Sequence, residues 1–232
     1  QLAAAEVETS TDARFADALI LARRQNVFLL PSFKEGLFEV QDAGSQLIAP
    51  FLDVQQGMRV IDACAGAGGK SLHLAALMHN KGRLLSLDVE QWKLDELKKR
   101  ARRAGAGNIE TRLIEGSKTI KRLEATADRV LLDVPCSGLG VLRRNPDAKW
   151  KLSADFIAEV QKTQQTILQD YSKMVRPGGK LVYSTCSILQ DENETRIRNF
   201  LGTGAPFELE DQHTILPSEG FDGFYMARLV KK

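Results

Sequence analysis

The 232-residue chain is 43% hydrophobic and 27% charged, the usage of a folded domain, which excludes collagen-like and disordered classes. Its 32 Lys and Arg nearly cancel its 30 Asp and Glu, so a net charge of +2 gives no general argument for a polyanionic partner, and only local patches can argue for nucleic acid. Cys64, Cys136 and Cys186 are too few and too far apart for a disulfide framework or a zinc pattern and are expected as free thiols.

In chain order, residues 12–25 carry apolar side chains at helical spacing, residues 26–40 read as strand and turn, and residues 42–52 read as a second short helix interrupted by Pro50. From Met58 onward short β-branched runs alternate with helical stretches, the signature of an α/β domain. Strands are expected at 58–63, 83–88, 109–114, 128–133 and 179–185, each a continuous apolar run suited to a sheet covered on both faces. Helices are expected at 70–80, 90–105, 117–124 and 153–175, the last stopped by Arg176-Pro177-Gly178-Gly179. A helix at 190–201 opens with Asp191 and Glu192, favourable charges at a helix N-terminus, and 224–230 reads as a closing strand. The expected architecture is a doubly wound, mostly parallel sheet over residues 57–232, preceded by a small extension at 1–56. No apolar run approaches the roughly 20 residues of a membrane span, and the N-terminus lacks a signal-peptide layout, so the cytoplasm is the expected compartment. A chain opening on Gln1 suggests a fragment or processed product, with the extension at 1–56 the remnant of a larger region.

The first strand ends in Asp62-Ala63-Cys64-Ala65-Gly66-Ala67-Gly68-Gly69-Lys70-Ser71 and leads into a helix, the place where small residues let backbone N–H groups face a ligand. Three readings are open: a dinucleotide fingerprint, the end of a Walker A loop, or an S-adenosylmethionine loop. Each of the first two misses by one residue, at Ser71 and Cys64 respectively. A tight turn that only packs helix on sheet is the plain alternative. Asp88, about 20 residues on, is placed to accept ribose hydroxyls, or else to cap the following helix. Glu115 follows the third strand and Asp133 ends the fourth, so carboxylates gather on one sheet edge.

Cys136 follows the fourth strand and Cys186 ends the fifth. A buried structural cysteine is the ordinary case, and Cys64 keeps that reading, but two thiols on adjacent strand ends beside a strand-end Asp point to chemistry. With FEVQDAGSQL (38–47), DACAGAGGKSLHLA (62–75), LLDVPCSGLGVLRRNPDAKW (131–150), VYSTCSILQDENE (182–194) and DGFYMARL (222–229), the sequence resembles the Nop/Sun class of RNA cytosine-5 methyltransferases, especially its bacterial ribosomal RNA branch, the Sun/Fmu-like proteins. The resemblance spans most of the chain, and PCSG followed by TCS is its most specific mark.

The resemblance implies a Rossmann-like methyltransferase using S-adenosylmethionine, with Cys186 as the nucleophile that adds to carbon 6 of cytosine. It implies that Cys136 assists loss of the carbon-5 proton and release of product, and that Asp133 contacts the base near N3 and N4 while lying close to the cofactor. It further implies cofactor contacts from Cys64, Ala65, Gly66, Ala67, Gly68, Gly69 and Lys70, from Asp88 on the ribose, and from Glu115 where the family usually has Asp beside the adenine. The loop departs from the family's usual Ala-Ala-Pro-Gly-Gly-Lys-Thr, and loss of its Pro removes a constraint on the loop. Val134 stands where Ala is common, a change expected to be tolerated.

Arg143, Arg144 and Lys149 with Trp150 suit phosphate clamping and base stacking, or form a solvated basic loop. Lys98, Lys99, Arg100, Arg102 and Arg103 read as a solvated helix face. Carbons 5 and 6 are reached only when a base is unstacked, so the target is expected to be single-stranded or flipped; the resemblance implies ribosomal RNA as the partner and cytosine as the base, and the protein is expected to be a monomer. Competing readings are a P-loop ATPase, which leaves both strand-end thiols unexplained, and a catalytically silent RNA-binding module. No metal site is expected.

Overall fold

The computed structural model describes residues 1–232, the side chain of Lys151 excepted. A two-residue hairpin, β1 (Thr9–Ser10) with β2 (Ile20–Leu21), is followed by three single-turn helices, α1 (Pro31–Lys34), α2 (Ala43–Gln46) and α3 (Ile48–Phe51). The α/β alternation then runs β3 (Arg59–Asp62), α4 (Gly69–Leu77), β4 (Arg83–Asp88), α5 (Gln91–Arg103), β5 (Ile109–Leu113), α6 (Ser117–Lys121) and β6 (Ala127–Asp133). It continues through α7 (Ala148–Lys151), α8 (Ala154–Tyr171), β7 (Val175–Thr185), α9 (Glu194–Gly202), β8 (Phe207–Ile215) and β9 (Phe224–Lys231).

Seven strands form one sheet in the order β5-β4-β3-β6-β7-β9-β8. The five from β5 to β7 are parallel, while β9 pairs antiparallel with both β7 and β8. Chain direction across the sheet reverses at β3: it runs outward to β5, then returns to β6 on β3's other side. The carboxyl edge beside that reversal is where open α/β sheets bind ligands.

Both faces are covered, which is why the central strands are apolar throughout. Successive residues alternate between the two layers. Val60, Leu84, Leu131 and Val182 pack with Ile48 and Leu52 around α3 and with Leu74 and Met78 at α4. Ile61, Leu132, Leu181 and Tyr183 pack with Leu168 of α8 and Ile197 and Phe200 of α9. The short helix α3 thus anchors the segment before the sheet, each fully buried Ile or Leu contributing roughly 1.5–3 kcal/mol relative to exposure.

Three expectations are corrected. Residues 12–25 form no helix: Asp12 accepts from the Arg14 backbone and side chain, and Phe15 packs edge-on against Phe221 with ring centroids 4.7 Å apart, so the apolar spacing serves a turn-rich strap. The helix expected to 175 ends at Tyr171 in a 3-10 turn, Ser172–Met174, and the Pro-Gly-Gly stop lies inside β7 as an irregularity, where pairing steps from Ala127–Val175 to Arg129–Lys180. The edge strand β8 was not expected. Most of its residues are exposed, so it lacks the apolar run that marks the buried strands.

Candidate active site

The carboxyl ends of β3, β4 and β6 present Asp62, Asp88 and Asp133, and β7 leads into Cys186. After β3 the chain turns sharply. Gly66 and Gly68 adopt left-handed φ values of 53° and 89°, and a Cβ on Gly68 would lie 2.5 Å from Leu97 Cγ. This allows α4 to begin at Gly69 with its N-terminus on the sheet edge. Asp88 fixes the turn: its Oδ2 accepts the Gly66 N–H at 2.9 Å, and its Oδ1 accepts the Glu90 N–H at 2.9 Å just ahead of α5. Asp88 therefore ties the glycine loop to the chain entering α5.

A cavity of about 310 Å³ opens on this edge, within the size range of small-molecule sites. Its walls include Asp62, Cys64, Ala65, Gly69, Lys70, Asp133, Val134, Arg144 and Cys186. Of the residues singled out from the sequence, Gly66, Ala67, Gly68, Asp88 and Cys136 lie behind or beside the wall, Glu115 is exposed beyond β5, and Lys149 is exposed on α7. Cys64 is packed against the core, and burial first, then the facing Asp62 and Asp133, pushes its thiol far up, as suits an inert residue.

Lys70 reaches from the first turn of α4 to Asp133, Nζ to Oδ2 2.6 Å, while Ser184 Oγ donates to Asp133 Oδ1 at 2.9 Å. Burial opposes the charge on Lys70, but the Asp133 carboxylate outweighs it and the net shift is upward, so Lys70 stays a cation. Cys136 and Cys186 sit with sulfurs 3.2 Å apart. Hydrogen bonding to Cys186 and then burial raise Cys136, whereas donation from Cys136, helped by Lys70, lowers Cys186. The two shifts run in opposite directions and make Cys186 the more easily ionised sulfur. Asp62 is fully buried and pushed up to about 7 by burial, opposed by the Ser71 hydroxyl that donates to Oδ2 at 2.7 Å; its Oδ1 has no partner among the described residues.

Several residues have a place at the site that the sequence did not assign them. Gln41, Asp42 and Ser45 add a wall from the segment before the sheet. Arg100, expected on a solvated helix face, instead turns inward, donating to Ala67 O at 2.8 Å and pairing with Glu39 at 3.0 Å. Arg103 also pairs with Glu39 and lies over the Phe33 ring, so the solvated reading holds for Lys98, Lys99 and Arg102 only. The charge pattern showed the cations but not Glu39 as their distant acceptor. Arg144 pairs with buried Asp222 at 2.8 Å and Arg143 donates to Gly220 O, tying the loop after Cys136 to the turn before β9. Lys149 lies over the exposed Trp150 ring.

The family model described as 16S rRNA methyltransferase RsmB/F matches residues 49–230. A probable ribosomal RNA small subunit methyltransferase B from Synechocystis is 39% identical over 222 residues, 87% of this chain and 49% of that protein. Among solved structures, PH0851 is similar with a TM-score of 0.94 at 33% identity, covering 99% of this chain and 55% of that one. NSun6 from Pyrococcus horikoshii, solved with SFG, gives 0.82 at 26% identity, covering 92% of this chain and 59% of that one. The chain spans about half the length of the curated relatives it matches. With the family model reaching from α3 to β9 and the cysteine pair set on the ligand edge of the sheet, the chain belongs to the 16S rRNA methyltransferase RsmB/F family.

Proposed function

We propose that this chain binds S-adenosylmethionine in the cavity at the ends of β3, β4 and β6 and methylates carbon 5 of a cytosine in small-subunit ribosomal RNA through a covalent bond to Cys186. The observation that carries the reading is the Cys136–Cys186 pair at 3.2 Å with the Lys70–Asp133 ion pair on the same edge. A cofactor-only or binding role gives no reason to hold two thiols in contact beside a fixed cation.

The residues present fit the cofactor. The glycine loop brings backbone close to the cavity, Asp88 has carboxylate lone pairs left for ribose hydroxyls, and Asp62, which lines the cavity, keeps one buried oxygen without a partner among the described residues. Glu115 is proposed beside the adenine. SFG, the ligand in the NSun6 structure, is an S-adenosylmethionine analogue, which supports the same choice. When bound, S-adenosylmethionine supplies the methyl group that carbon 5 accepts.

The chain's own residues do the rest. The Cys186 thiolate bonds to carbon 6, and the carbon 5–carbon 6 π pair moves onto carbon 5. Asp133, held by Lys70 and Ser184, accepts from the base amino group, and the Lys70 cation offsets charge as it shifts from sulfur to base. After methylation Cys136 assists removal of the carbon-5 proton; the electron pair of that C–H bond restores the double bond and expels Cys186 as thiolate. Trp150 and Lys149 offer an exposed stacking and phosphate surface, while Arg143 and Arg144 shape the loop that carries them.

Calorimetric titration with S-adenosylmethionine, with Mg-ATP in parallel, tests the cofactor assignment without requiring the right RNA. Saturable one-to-one binding of S-adenosylmethionine alone is expected; binding of Mg-ATP alone would replace this reading with a nucleotide-driven one.

A further inference from the structure

Behind the two thiols lies a carboxylate that the chemistry above does not use. Glu192, in the 3-10 turn that follows Cys186, has no exposed surface, and among the described residues no Lys, Arg or His pairs with it. A buried, cation-free carboxylate is costly unless several donors converge on it. Its Oε1 accepts the Ser137 N–H at 2.8 Å and Gln164 Nε2 at 3.1 Å, and its Oε2 accepts the Ser137 hydroxyl at 2.6 Å.

Each donor bears on a thiol. Ser137 follows Cys136, Ser187 follows Cys186, and the two hydroxyls meet at 3.0 Å. Because the one hydroxyl proton of Ser137 goes to Glu192, Ser187 donates to Ser137, and Ser187 Oγ in turn accepts the Leu189 N–H at 3.1 Å. Gln164 also donates to Pro135 O at 2.9 Å, so both neighbours of Cys136 are tied to this cluster. The Gly140 N–H closes the arrangement on Cys186 O at 2.9 Å.

We infer that Glu192 is a positioning residue whose buried negative charge and three acceptor contacts hold the Cys136 loop against Cys186 and make Cys186, rather than Cys136, the sulfur that carries the charge. Lys70 favours a thiolate at Cys186 and Asp133 opposes it, while Glu192 opposes a thiolate at Cys136. With Glu192 neutral, the second of these asymmetries disappears and the loop that delivers the Cys136 proton is released. The inference rests on the proposed roles of the two cysteines.

The test is site-resolved alkylation of the folded chain by iodoacetamide between pH 6 and 10, without RNA or cofactor, read by peptide mass spectrometry. Wild type, Glu192→Gln and Ser137→Ala are compared, with thermal melting of each. Glu192→Gln keeps the size of the side chain but removes the charge and sets an amide donor among three donors. The preference for Cys186 over Cys136 at neutral pH is expected to fall about tenfold in Glu192→Gln, the equivalent of about one pKa unit. Ser137→Ala should move it in the same direction by less. A lowered melting temperature with the preference unchanged would assign Glu192 to fold stability alone and overturn the inference. If Glu192→Gln fails to fold, Ser137→Ala decides, and failure of both to fold overturns it equally. Absence of any Cys186 preference in the wild type would instead remove the nucleophile assignment on which the inference stands.

Discussion

Lys70 and Asp133, 63 residues apart in sequence, meet at 2.6 Å across the cavity edge and tie the glycine loop to the end of β6. The contact joins the wall proposed for the cofactor to the strand that leads into the Cys136 loop. Lys70 therefore does more than line the wall proposed for the cofactor: its charge bears on Cys186 as well.

Replacing Lys70 with Met is expected to leave Asp133 part-buried without its cation and to lower unfolding free energy by about 2–4 kcal/mol. Cys186 alkylation at neutral pH should slow in parallel. Urea denaturation and thiol kinetics on the same preparation check both effects, and unchanged thiol kinetics would detach Lys70 from the nucleophile.

Asp62 sets a pH dependence whose sign follows from its raised pKa. Unfolded, its carboxyl titrates near the ordinary aspartate value of 3.8; folded, burial raises it to about 7. Between those values the native state binds more protons than the unfolded chain, so its contribution is full below the lower value and is lost as pH rises through the upper one. Asp62→Asn keeps an acceptor for Ser71 and removes the titration. The stability difference between variant and wild type should therefore grow in favour of the variant from pH 4 to pH 7 and then level off, as measured by urea denaturation across that range.

Asp88→Ala removes the acceptor for the Gly66 and Glu90 N–H groups and the proposed ribose contact together. Affinity for S-adenosylmethionine is expected to fall at least about tenfold, the worth of one charge-assisted hydrogen bond. Calorimetry on a variant shown to be folded gives the answer, and undiminished affinity would move the ribose elsewhere.

Two glycines should respond differently to alanine. A Cβ at Gly140 would lie 2.1 Å from Gly223 O and 2.8 Å from Cys186 O, so Gly140→Ala must push apart the backbone that seats both thiols and should cost upwards of about 2 kcal/mol. At Gly66 a Cβ meets nothing within 4 Å, and only the left-handed φ of 53° opposes it, a cost of about 1–2 kcal/mol. Thermal melting ranks the pair.

The inner strands β4, β3, β6 and β7 and the closing β9 were legible because each, covered on both faces or paired deep in the sheet, is largely apolar, and the edge strand β5 was legible from the alternation of Ile109, Thr111 and Leu113 with exposed Glu110 and Arg112. β8 was not, because an edge strand carries Glu208, Glu210 and Asp211 without penalty. The 12–25 helix failed because Phe15 found a partner in Phe221, 206 residues away, which periodicity cannot reveal. At the site, the motifs named the cysteines, Asp133 and the loop, but not their couplings. Glu192 looked like a charge at a helix N-terminus and is instead buried against Ser137, a role visible only once β6 and β7 lie side by side.

The covalent role of Cys186 is tested most directly by incubating Cys136→Ala and the Cys136→Ala/Cys186→Ala double variant with S-adenosylmethionine and 16S ribosomal RNA, then resolving the products on a denaturing gel. A denaturation-resistant protein–RNA adduct should accumulate with Cys136→Ala and vanish in the double variant. Methylation by the wild type with no adduct in Cys136→Ala, or an adduct that survives loss of Cys186, would contradict the account.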